Sequence, residues 1–257
     1  MASPNLLRLM TYNVHRCVGL DGKHSPGRIA RAIAEQKPDV VALQELDVNR
    51  ARTAFANQAS LIASELNMNY LFFPAIELKD EHFGNAILSP WPLSLVRAGV
   101  LPWLPHAPHR ERRAALWAAF EWEGCVVQII NTHLGLVPGE QVLQSQALLS
   151  EEWLGHPHCT NPRILCGDLN AIPGSRAYRR LTRGLHDPVS WFSWPPGTFP
   201  SWSPLLRLDH VLFDAGWIVC KVRIPRTRLT RVASDHLPVV VEASLASTTA
   251  AMSPLPM

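Results

Sequence analysis

The chain lacks the devices by which several catalytic classes are usually read. No G-x-S-x-G elbow, no G-x-x-x-x-G-K-[ST] loop and no G-x-G-x-x-G following a strand occurs in its 257 residues. Acyl transfer by a serine triad and nucleotide-driven work therefore both lack their machinery. Five cysteines, Cys17, Cys125, Cys159, Cys166 and Cys220, form no C-x-x-C pair. Their odd number, with Cys125 and Cys166 inside apolar runs, reads as small core residues in a reducing compartment. Zinc spacing is absent as well, because His106 and His109 lie in a proline loop with no carboxylate following on a helix. No run approaches the roughly 20 apolar residues of a bilayer span. Met1 to Asn5 is short and polar, unlike a secretory leader. The expectation is a cytoplasmic protein.

The composition, 47% hydrophobic and 18% charged, suits a large globular domain over residues 1–246, with 247–257 read as a disordered tail. A net charge of +3 is too small to demand a nucleic-acid partner. Arginine, however, far outnumbers lysine and clusters at Arg110, Arg112 and Arg113, at Arg176 to Arg183, and at Arg223, Arg226, Arg228 and Arg231. Planar guanidinium groups suit phosphate oxygens; the competing reading is a coding bias that leaves solvated surface arginines.

Hydrophobic periodicity predicts a helix opened by Ser25-Pro26 and ended by Pro38, then a buried strand over Asp39 to Gln44. A second helix is expected from about Thr53 to Leu66, with Phe55 on its apolar face. Strands follow at Tyr70 to Phe73, Asn85 to Leu88, Leu93 to Val100, Ala114 to Trp122 and Val126 to Asn131. A helix over Gly139 to Leu154, a strand over Arg163 to Cys166 and a short helix over Arg176 to Leu181 come next. The last strands are Leu208 to Phe213, Trp217 to Ile224 and Leu237 to Ser244. Simple strand–helix alternation does not describe this order, whereas two packed sheets flanked by helices do.

Polar residues recur where these apolar runs end: Asn13 after Leu6 to Met10, Gln44-Glu45 after Val40 to Leu43, His133 after Val126 to Ile130, and Asp168 after Arg163 to Cys166. A polar group at the point where a buried strand surfaces is held by the core yet meets solvent. Glu45 facing Asn13 is a natural ligand set for a hard divalent cation, though such pairs also occur at ordinary turns. Asp168 and Asn170 occupy alternate positions, so extended geometry would point both side chains the same way to align a water; an Asx-type turn is the plainer alternative. Asp209 beside His236 would fix one imidazole tautomer, leaving Asp235 free for metal or water. His133 could donate to a phosphate or be a core histidine satisfied by backbone.

Taken in order, Thr11-Tyr12-Asn13, Leu43-Gln44-Glu45, Gly84 to Ser89, Asn131-Thr132-His133-Leu134, Gly167-Asp168-Leu169-Asn170, Arg207-Leu208-Asp209-His210 and Ser234 to Pro238 make the sequence resemble the endonuclease/exonuclease/phosphatase superfamily. The resemblance extends from about Leu6 to Ala243. It implies a four-layered α/β sandwich of two packed mixed β-sheets flanked by helices, and cleavage of a phosphoester with Mg²⁺ or Mn²⁺. It implies Glu45 as principal metal ligand with Asn13 and Asp235 close by, and His236, oriented by Asp209, as general base or phosphate contact. Asp168 would orient water or manage the leaving-group proton, while Asn170 and His133 would hold non-bridging oxygens. One departure is His15, where nuclease branches carry an acidic residue two positions after the first asparagine.

Substrate class divides three ways. Arg113, Arg226 and Arg228 are candidate substrate contacts, and the cluster ahead of Asp235 favours DNA, RNA or another phosphodiester. An aromatic loop, Trp191, Phe192, Trp194, Phe199 and Trp202, suits a lipid headgroup, could stack on bases, or could simply cover a sheet edge. The third reading is a catalytically silent binding protein, which the presence of every motif residue disfavours. No obligate protein partner is evident.

Overall fold

A computed structural model describes residues 5–104, 111–192 and 196–246. Arg110, His106, His109, Trp194 and the 247–257 tail lie outside the described residues.

Eleven strands in this region form two sheets. The first contains β1 (Leu7–Asn13), β2 (Val40–Val48), β3 (Asn69–Leu78), β4 (Glu81–Ser89), β10 (Trp217–Arg223) and β11 (Val239–Leu245), in the order β10-β11-β1-β2-β4-β3. The second contains β5 (Ser94–Val100), β6 (Ala114–Trp122), β7 (Cys125–His133), β8 (Arg163–Asp168) and β9 (Asp209–Phe213), paired in chain order. Both are mixed: β1 runs parallel to β2, and β7 parallel to β8, while the other pairs are antiparallel.

The layering follows from the two-residue side-chain period of a strand. Leu9, Val40, Ile129, Ile164 and Val211 point into the core between the sheets. Their neighbours Met10 and Val41 face outward onto α1 (Pro26–Ala34) and α2 (Gln58–Leu66). Ile130, Leu165 and Leu212 face α3 (Pro138–Leu149) and α4 (Arg176–Leu181). Strands buried on both faces must be apolar at every position, which is why these read as continuous runs. The expected four-layered α/β sandwich is the observed architecture.

Several boundaries differ from expectation for local reasons. Helix α1 starts as predicted, with Ser25 Oγ accepting from the Arg28 amide at 3.2 Å. Helix α2 instead begins at Gln58, because Asn57 caps it and Ala54 and Phe55 take left-handed backbone conformations. Phe55 is consequently exposed rather than packed. Helix α3 stops at Leu149, where Ser150 becomes extended. Strand β3 runs well past Phe73 and tolerates Pro74 because it is an edge strand with a register shift there.

Gly167 is required twice over. Its φ is +137°, and a Cβ would stand 1.8 Å from the Thr132 carbonyl oxygen of the neighbouring parallel strand. Gly167→Ala should therefore push β7 and β8 apart, costing more than about 3 kcal/mol in denaturant titration. Wild-type stability in that variant would contradict the close approach.

Candidate active site

Three of the polar strand ends named by the sequence meet at one end of the sandwich. Asn13 closes β1, His133 closes β7 and Asp168 closes β8, with His133 opposite Asp168 and Asp168 opposite Asp209 in the ladder. Glu45 arrives differently. Strand β2 continues to Val48, and Glu45 sits in a bulge between Leu43 and Leu46 with φ of +62°. The bulge re-aims the carboxylate out of the ladder toward the site, a usual role for such irregularities.

Buried polar bonds clamp the two sheets together here. Gln44 Nε2 donates to Asn131 Oδ1 at 2.8 Å, and Asn131 Nδ2 donates to the carbonyls of Leu43 and Ala86. Asn13 Nδ2 donates to Glu45 Oε1 at 3.1 Å and across the sandwich to Asp168 Oδ2 at 2.9 Å. Asn13 thereby sets the direction of two carboxylates, while its own Oδ1 accepts from the His15 amide.

Asp168 is the centre of the arrangement. Its Oδ1 accepts from the Asn170 amide at 2.9 Å, an Asx-type turn. Asn170 has φ of +47°, so a turn rather than extended alternation brings its side chain back to the site. The Asn170 Nδ2 donates to the Leu134 carbonyl and lies 3.0 Å from His133 Nε2. The other Asp168 oxygen, Oδ2, faces Asn13 Nδ2, His133 Nε2 at 3.5 Å and His236 Nε2 at 3.7 Å. Groups from three separate segments thus converge on one anionic oxygen.

His236 Nδ1 bonds Asp209 Oδ2 at 2.8 Å, the couple expected from the sequence. Burial alone would lower the His236 imidazole, but Asp209 and then Asp168 outweigh it and raise it well above its ordinary value. Burial pushes the Asp168 carboxyl up, with Asp209 adding to the shift and His236 opposing it. A ring held protonated acts as a charged donor rather than as a base. His133 moves the other way: burial, then the Arg113 guanidinium and His236, lower it well below the ordinary value. The neutral ring stands between two donors, with Arg113 Nη1 3.3 Å from its Nδ1 and Asn170 Nδ2 3.0 Å from its Nε2.

Arg113 is itself buried, so it supports His133 rather than lining an open groove. Arg226 and Arg228 are exposed and stand outside the cluster, on the adjoining surface. Asp235 is half-buried at the rim, its Oδ1 3.8 Å from His15 Nδ1.

Among the described residues, the tightest group of possible metal-ligating atoms is Asp168, Asp209 and His236, all within 4.8 Å of one another. Within it Asp209 Oδ2 is bonded to His236 Nδ1, while Asp209 Oδ1 is buried without a hydrogen-bond partner among the described residues. Glu45, which shares Asn13 Nδ2 with Asp168, and Asp235 at the rim lie outside that group and offer carboxylate oxygens of the kind that suits a hard divalent cation.

Sequence reasoning missed the support beneath Asp209. Asp187 is buried and accepts from Arg207 Nη1, Tyr178 Oη at 2.8 Å and the Val189 amide at 3.0 Å. His210 Nδ1 lies 3.4 Å from the same carboxylate, and Thr198 Oγ1 accepts from the amides of Leu208 and Asp209. Only the Arg207-Leu208-Asp209-His210 motif signalled this network; Asp187 and Thr198 stand in a loop without periodicity. Burial on its own would raise the Asp187 carboxyl, but His210 and then Arg207 outweigh it and hold it well below the usual carboxylate range. Such a group stabilises the fold above the unfolded-state value, about 4, and that contribution is lost as pH falls through the depressed value. Asp187→Asn should cost about 3–5 kcal/mol at neutral pH by leaving Arg207 buried without its partner. It should also flatten the loss of stability below about pH 4, read by denaturant titration across pH; an unchanged acid slope would contradict the assignment.

The sequence model of the Endonuclease/Exonuclease/phosphatase family matches residues 10–236. The uncharacterized protein YbhP of Escherichia coli (strain K12) is 22% identical, with 93% of this chain and 96% of that protein covered. The mannosyl-6-phosphatase Bt3783 of Bacteroides thetaiotaomicron VPI-5482 superposes with a TM-score of 0.72 at 22% identity, over 92% of this chain and 99% of that one. The human Nocturnin catalytic domain with bound sulfate superposes with a TM-score of 0.70 at 22% identity, over 94% and 95% of the two chains.

Proposed function

The chain belongs to the endonuclease/exonuclease/phosphatase family, and from that premise we propose that it is a divalent-metal-dependent phosphodiesterase cleaving P–O bonds by in-line attack of water. The observation that carries this reading is the convergence of Asn13, His133 and His236 on Asp168 Oδ2. Groups gathered around one carboxylate oxygen are equally placed to hold phosphoryl oxygens, where transition-state charge develops.

Glu45 and Asp235 would hold the cation, Mg²⁺ or Mn²⁺, and when bound it supplies Lewis-acid stabilisation of the phosphoryl oxygens. Asn13 aims Glu45 and Asp168. His236, kept charged by Asp209, donates from Nε2 to a non-bridging oxygen. Neutral His133 and the Asn170 amide stand beside the same position as further phosphoryl contacts. Asp168, whose carboxyl is raised by burial, takes the proton of the attacking water.

The test is a panel with Mg²⁺ of plasmid DNA, abasic-site duplex, sphingomyelin and bis-(p-nitrophenyl) phosphate, each repeated in chelator. Metal-dependent release of p-nitrophenol is expected. Absence of turnover on every phosphoester would overturn the reading.

A further inference from the structure

The arginine run and the tryptophan loop, separate in sequence, form one surface beside the site. The loop over residues 196–206 is stapled to the segment that carries Asp235 and His236. The Ser201 amide donates to the Asp235 carbonyl at 2.6 Å, Ser201 Oγ donates to the Ser234 carbonyl at 2.7 Å, and the Leu237 amide donates to the Thr198 carbonyl at 2.7 Å. Phe199 packs on the His236 ring, with centroids 4.9 Å apart.

Trp202 projects from this loop, 62% exposed, as a wall shared by two hollows. One, of about 300 Å³, is bounded by Ser203, Pro204, Arg226 and Arg231. The other, of about 280 Å³, is bounded by Leu20, Arg228, Arg231 and Val232. Arg231 ties the parts together by donating to the Trp202 carbonyl at 3.2 Å. Leu205 follows at 81% exposure, and Leu20 and Val232 are also exposed. Among the described residues, no carboxylate lines either hollow.

Large apolar side chains left in water beside a catalytic site mark an interaction surface. Among the described residues Arg226, Arg228 and Arg231 form no ion pair, and with Glu35, bonded to Thr227 at 3.1 Å, as one acidic neighbour their surplus charge calls for an anionic occupant. A nucleic acid would satisfy the guanidinium groups but offers little to the aliphatic Leu20, Leu205 and Val232. A stacking track along a strand also uses successive aromatics, and among the described residues Trp202 is the single aromatic bounding these hollows. A tryptophan among leucines, beside exposed arginines, is instead the composition of a lipid–water boundary.

We propose that Trp202, Leu205, Leu20 and Val232, with Arg226, Arg228 and Arg231, dock the catalytic face onto an anionic lipid surface. Resting on the phosphoester reading of the site, this makes the natural substrate a phosphoester carried by an amphiphile.

Flotation of the full chain with phosphatidylcholine vesicles, with and without phosphatidylglycerol, tests the docking. Wild type should bind the anionic vesicles, with a blue shift of tryptophan emission. Arg226→Ala with Arg228→Ala should weaken that binding roughly thirtyfold, at about a factor of five for each arginine near the surface. Trp202→Ala with Leu205→Ser should weaken it on both compositions, and because both side chains are exposed the fold is retained, as circular dichroism would verify. No vesicle binding by wild type, or binding by both double variants that matches wild type, overturns the docking. So does tight binding of a DNA oligonucleotide, lost in the arginine variant, with none to vesicles. Wild-type turnover of bis-(p-nitrophenyl) phosphate, measured in parallel, separates the two readings. Turnover without vesicle binding sinks the docking alone, and vesicle binding without turnover sinks the phosphoesterase reading alone.

Discussion

Glu45→Ala should lower phosphodiester turnover roughly 10²–10³-fold or more, the effect of removing a group that fixes transition-state charge, while its melting profile stays that of the wild type. Glu45 sits at the half-buried rim in a bulge and makes one hydrogen bond, from Asn13, so little packing is lost with it. Glu45→Gln keeps the shape and the oxygen facing Asn13 but removes the charge, and it should be nearly as inactive. Raising Mg²⁺ should partly restore the glutamine variant if the defect is cation affinity. Full activity in either variant would remove Glu45 from the metal site.

The second large effect concerns Asp209 and His236. Their 2.8 Å bond and the raised imidazole make them one device, a cation held in place by a buried carboxylate. Asp209→Asn and His236→Ala should each cost roughly 10²–10⁴-fold in kcat. The double variant should be scarcely worse than either single one, since groups acting as a unit show non-additive losses. Losses that multiply would place the two residues in separate roles. Asp209→Asn should also bring the His236 imidazole down, visible in the ring's NMR titration, because that carboxylate is the largest of the influences raising it.

What could be read in advance depended on periodicity. The apolar runs ending in Asn13, His133 and Asp168 are buried on both faces, so their chemistry-bearing ends stand out in the sequence. The apolar run before Gln44-Glu45 points to Glu45 but not to its backbone: a bulge leaves no mark on such a run, which predicts a strand ending at Gln44 where β2 continues to Val48. The start of α2 was misplaced because Phe55 has helical spacing, whereas left-handed Ala54 and Phe55 delay the helix until the Asn57 cap. Arg113 could not be told from a surface arginine without its contact to His133. The Asp187 network and the union of the Trp202 loop with the arginine run join segments distant in the chain, and pattern along one strand or helix cannot register such contacts.

The most direct measurement is hydrolysis of bis-(p-nitrophenyl) phosphate by the purified chain in ¹⁸O-labelled water, with Mg²⁺, with chelator, and with Mg²⁺ restored. The expected result is release of p-nitrophenol that stops in chelator and returns with the metal, with the label found on the phosphoryl product. Turnover unaffected by chelator, or label on the phenol oxygen, would contradict metal-dependent attack of water at phosphorus.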